Sequence, residues 1–152
     1  MEDKSIINNQ SGFKVFELVL IFTIIGVLLA IIISTFSGVQ AKSRNNDRQK
    51  NITLLQKNLE LYYAYSGNYP TLAEMNNSNW LKNNMKYLDQ NILQDPRAKT
   101  HELVSVPTKN IYSYTVTSIN GTSCDNTTIK CSKYILTAEY EGGGKFTASS
   151  LN

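Results

Sequence analysis

Two features of this chain have residue types and settings suited to chemistry: an acid at the mouth of an apolar run, and a pair of cysteines. Glu17 stands one residue before Leu18 to Ile33, where only Thr23 and Gly26 interrupt the apolar side chains and no charge occurs. A carboxylate held in lipid without a partner costs about 3 kcal/mol or more, so Glu17 calls for a neighbouring positive charge. Cys124 and Cys131 close a short loop if they are oxidised, as in an exported domain, and remain free thiols in a reducing compartment. As a crosslink the pair would contribute roughly 2–3 kcal/mol by loop entropy. Two cysteines and the single, distant His101 do not make a four-ligand zinc site.

The remaining polar residues point away from catalysis. His101 lies beside Glu102 in a loop between Pro96 and Pro107 and reads as solvated. Asp89, Asp95 and Asp125 are scattered and read as turn formers, not calcium ligands. No nucleophile motif, paired acids, phosphate loop or metal-ligand cluster is present, so the sequence reads as non-enzymatic and without a cofactor. Asn51-Ile-Thr53, Asn120-Gly-Thr122 and Asn126-Thr-Thr128 match a glycosylation pattern, at the frequency that an Asn- and Thr-rich chain gives by chance.

The element that must carry Glu17 is a helix. Residues 18–36 in that conformation would span roughly 28 Å, close to the ~30 Å hydrocarbon core of a bilayer, where lipid leaves backbone groups no partners outside the helix. The helix is expected to continue. Between Ser37 and Ser66 there is no proline and Gly38 is the only glycine. Ile52, Leu55, Leu59 and Tyr62 recur at helical spacing as one apolar stripe, with Leu54, Leu61 and Tyr65 widening it. Asn51, Lys57, Asn58 and Glu60 form the polar face. Gly26, Ser34, Thr35 and Gly38 are the expected points of bending or melting. Gly67-Asn68-Tyr69-Pro70 ends the helix, because glycine suits the left-handed cap and proline cannot continue.

From residue 71 to 110 the sequence predicts loops with short helical turns, one capped by Thr71 through Glu74 and one over residues 80–85. Trp80, Tyr87 and Leu88 are expected to pack on a core. Period-two patterns then predict strands over 111–119, 132–141 and 145–148, with Gly142-Gly143-Gly144 as a turn. The cysteine loop falls at the tip of the first hairpin. The fold class is therefore α+β, a long amino-terminal helix packed on a small three-stranded antiparallel sheet. The organisation is a polar leader (1–12), an apolar helical half (13–36), an amphipathic half (37–66) and a globular head (67–152). The net charge of +3 becomes +4 without residues 1–12, because one lysine and two acids go with them. That excess is mild and spread out, which disfavours nucleic acid as a partner.

Gly12-Phe13 followed by Glu17 and an apolar helix resembles the class III signal of type IV pilins and the related pseudopilins. Ala41-Lys-Ser-Arg-Asn-Asn-Asp-Arg-Gln-Lys50 and Leu59-Glu-Leu-Tyr-Tyr-Ala-Tyr-Ser-Gly-Asn-Tyr-Pro70 extend the resemblance to the helix end and tyrosine-proline turn of major members; it covers residues 12–70 and is weak beyond. It implies a type IV pilin-like fold, cleavage by a prepilin peptidase after Gly12, and N-methylation of Phe13. It also implies an assembly role for Glu17, which would pair with the Phe13 amine of its own or a neighbouring subunit. The implied partners are copies of the chain in a helical homopolymer, the assembly platform of the cytoplasmic membrane, and the lipid bilayer before assembly. The implied destination is a cell-surface filament.

Two departures stand beside the resemblance. The leader is less basic than family leaders, and Lys14 sits where the family has a small or apolar residue. Lys4 and Lys14 before the span against Lys42, Arg44, Arg48 and Lys50 after it would alone place the amino terminus outside, whereas the family reading needs it inside. The alternatives are a major pseudopilin of type II secretion, an anchored extracellular domain that never polymerises, and a secretory signal cut after Ala41. Major pseudopilins carry an acidic calcium loop near the carboxyl terminus, and the Gly142-Gly143-Gly144 region lacks those acids.

Overall fold

The computed structural model describes residues 14–152, and the side chains of all of these except Ser34 and Thr35. Gly12 and Phe13, the expected cleavage and methylation site, lie outside the described residues. The elements in order are helix α1 (Val15–Ser66), the short helices α2 (Leu72–Met75) and α3 (Ser78–Asn84), a 3₁₀ turn (Gln90–Leu93), and strands β1 (Ser113–Thr117), β2 (Lys133–Glu139) and β3 (Lys145–Ser149). The chain divides after Val39 into two units.

Helix α1 begins with half a capping box: the backbone N–H of Lys14 donates to Glu17 Oε2 at 3.2 Å, three residues on. A negative group in this first turn also complements the helix dipole. Through residues 15–39 the large apolar side chains, from Val15 to Val39, are exposed on all sides. The helix is unbroken at Gly26, Ser34, Thr35 and Gly38, so the expected melting at these residues does not occur. At the far end Gly67 takes φ +70° and returns its N–H to Tyr63 O at 2.8 Å. Ser66 Oγ donates to Tyr62 O, and Pro70 stops the chain from continuing.

The second unit, Gln40–Asn152, is built on the stripe of α1. Ile52, Leu55 and Leu59 are wholly buried, as the spacing requires. Leu61 and Tyr65 are instead exposed and do not widen the stripe. Leu54, on the same helical line, does pack partly on the core, so that line is covered at Leu54 and left open at Leu61 and Tyr65. The strands form one antiparallel sheet in the order β1-β2-β3. Its registers pair Tyr114 with Leu136 and Ala138 with Phe146. Tyr112, Tyr114, Tyr134, Leu136 and Ala138 are buried with the helix stripe in one core. Val104 runs parallel to Ser113 and covers the outer edge of β1.

The connecting region follows its turn chemistry. Thr71 and Glu74 form a complete capping box on α2, and Asn77 Oδ1 accepts from Asn79 N and Trp80 N at the head of α3. Leu88 is buried and Trp80 packs partly on the core, but Tyr87 points outward and is 89% exposed.

Candidate functional site

Glu17, on the first turn of α1, is exposed and followed by the charge-free apolar run. Its carboxylate is tied only lightly, by the 3.2 Å bond from Lys14 N. The helix is long and apolar enough to cross a membrane, and none of its most apolar window is buried. Every large side chain along 18–33 therefore awaits an apolar surrounding.

Cys124 and Cys131 form a disulfide with Cα atoms 5.2 Å apart. The loop that they close is tied to the end of α1. Tyr69 N donates to Cys131 O at 2.8 Å, while Asn126 Nδ2 donates to Tyr69 O at 2.8 Å. Asn126 Oδ1 in turn accepts from Cys131 N, so this asparagine is a structural clamp at φ +64°. Asp125 Oδ1 accepts the backbone N–H groups of Thr127, Thr128 and Ile129. Those of Ile129 and Thr128 do most to hold its carboxyl well below the usual carboxylate range.

Of the other acids, Asp89 caps the 3₁₀ turn through Asn91 N. Asp95 corrects the sequence reading. It does close a turn through Arg97 N, but it is also buried and paired with Arg48, whose Nε and Nη2 donate to its two oxygens at 2.6 and 2.9 Å. Arg48 is itself fully buried, and its Nη1 donates to Glu141 Oε1 at 3.0 Å. Arg44 meets the same glutamate with two bonds of 2.7 Å, and Arg97 adds a third arginine at 3.2 Å. The hydrogen bonds from Arg44, ahead of those from Arg48, pull the Glu141 carboxyl down to about 2. This network joins α1, the 95–97 turn and the β2–β3 turn, where Asn45 also bonds both the N–H and the carbonyl of Glu141.

The network was missed in the sequence, yet a signal existed. Arg44 and Arg48 stand eight and four residues before Ile52, on the same line as the apolar stripe. Glu60 was missed likewise: it accepts the hydroxyls of Tyr69 and Tyr134 at 2.9 and 2.7 Å, and the N–H of Leu151. His101 is exposed. Among the described residues no group of three or more His, Cys, Asp or Glu could hold a metal.

Comparison with protein-family models, curated proteins and solved structures gives no match. The geometry thus stands on its own. It consists of an acid at the head of a bare apolar helix, and an α+β unit joined to that helix's later turns by the buried Arg48–Asp95 pair and the arginines around Glu141.

Proposed function

We infer that this chain is the precursor of a structural subunit of a type IV filament. In this reading a prepilin peptidase removes residues 1–12, Phe13 becomes the methylated amino terminus, and the subunit waits in the cytoplasmic membrane until it polymerises outward. The observation that carries it is the apolar half of α1, exposed on every side and headed by a single acid. Such a surface needs lipid first and like helices later. The tight attachment of the sheet to residues 44–59 supports it too, since a head must not peel from the helix by which it is pulled. Glu141, the acid adjoining the glycine turn, is spent on arginines, which favours a pilus subunit over a calcium-binding pseudopilin.

Mass spectrometry of the protein recovered from cells tests this reading. The expected amino terminus is N-methylated Phe13. A chain beginning at Met1 or Lys42 would overturn it, the first in favour of an uncut anchor and the second of a secretory signal.

A further inference from the structure

A cleft of about 210 Å³ opens between the last turns of α1 and the segment after α3. Leu61 and Tyr62 line it from the helix, and Met85 lies at its other wall. The tyrosines Tyr65 and Tyr87 also line it, and they are 84% and 89% exposed. Two large rings exposed together beside a cleft offer an aromatic surface on which a ligand can stack.

We propose that this cleft binds the pyranose ring of a saccharide. The polar groups select that ligand class over others. Asn58 Nδ2 donates to Leu54 O and Asn84 Nδ2 donates to Trp80 O, both at 2.9 Å. A carbonyl accepts only, so each bond fixes the amide with its nitrogen toward the helix, leaving Oδ1 as an acceptor and the second N–H as a donor. Side chains that offer both suit hydroxyls, which donate and accept at once. A proline-rich peptide, the other frequent guest of tyrosine-lined grooves, offers mostly carbonyls, with N–H donors only at its non-proline residues. The described lining contains no carboxylate and one cation, Lys86, so a cationic guest is disfavoured and a uronic acid is admitted. The C–H face of a pyranose stacks on a tyrosine ring, and a cleft of this size with one side open to solvent accommodates one ring.

The inference does not depend on filament assembly. Its test uses the full-length chain, fluorescently labelled and held in a detergent without a sugar headgroup. The probes are immobilised oligosaccharides covering neutral, N-acetylated and uronic-acid pyranoses, with a proline-rich decapeptide alongside. Retention on at least one saccharide class is expected, weakened about tenfold or more by Tyr65→Ala and by Tyr87→Ala. Both rings are exposed, so circular dichroism should be unchanged in these variants. Lys86→Gln should weaken binding to uronic acids alone if they are the class retained. No retention on any saccharide, retention indifferent to both tyrosine substitutions, or capture of the peptide with the saccharides unbound would overturn the proposal.

Discussion

Arg48, on α1, is a fully buried charge. Its guanidinium is sealed from solvent, as is Asp95, its bidentate partner. Arg48→Ala would leave the Asp95 carboxylate buried and unpaired, and should cost about 3–5 kcal/mol. Urea unfolding measures this, and Arg48→Ala combined with Asp95→Ala should recover part of the loss. Glu141 gives a pH signature. Its folded value, about 2, lies below its ordinary 4.5, so its contribution is complete above 4.5 and disappears as pH falls toward 2. Thermal stability of the wild type should therefore fall more steeply across that window than that of Glu141→Gln, and parallel slopes would contradict the pairing. Neither residue was legible as structure, because a charged side chain within an apolar stripe is discounted when hydropathy alone is read. The four-residue step from Arg48 to Ile52 was nonetheless there to be seen.

At the scale of elements, local chemistry was the better guide. The stripe Ile52–Leu55–Leu59, the glycine-proline stop after Ser66, the Thr71–Glu74 capping box and three alternating strands all follow from neighbours within a few residues, and the structure contains each of them. Leu61, Tyr65 and Tyr87 departed because their burial depends on how far a sheet reaches and how a loop packs, which no local pattern encodes. The disulfide loop lies between these cases: the spacing allowed closure, while its attachment to Tyr69 through Asn126 is tertiary. Replacing both cysteines with alanine, which puts no hydroxyl at the buried position of Cys131, should lower stability by about 2–3 kcal/mol, chiefly by freeing the unfolded chain. The head should still fold, since its core rests on α1 and the sheet. Hydrogen exchange is expected to rise first at residues 124–131 and at Tyr69 N, whose acceptor is Cys131 O.

For the molecule as a whole the two units pose opposite solubility problems. The second unit buries its own core, with Ile52, Leu55, Leu59, Tyr112 and Tyr114 fully enclosed, whereas the large apolar side chains from Val15 to Val39 are exposed. In water such a helix would aggregate; in lipid it is stable alone, because lipid tails compete with other helices for the same apolar surface. Apolar character therefore explains retention in a membrane but not the order of an assembly. A polar group that is unpaired in lipid and paired in a bundle would supply the bias, and Glu17 is the only acid on the described helix before Asp47. Its bond to Lys14 N is a weak local substitute, which cleavage at Gly12 would supplement with a nearby amine. On the proposed filament reading, Glu17→Ala should accordingly give a subunit that is cleaved, membrane-bound and of unaltered head stability, yet absent from surface filaments. Glu17→Asp should retain partial assembly, since it keeps the charge on a shorter reach. Electron microscopy of cells and fractionation of membranes separate these outcomes, and wild-type filament yield from Glu17→Ala would show that apolar packing alone orders the polymer.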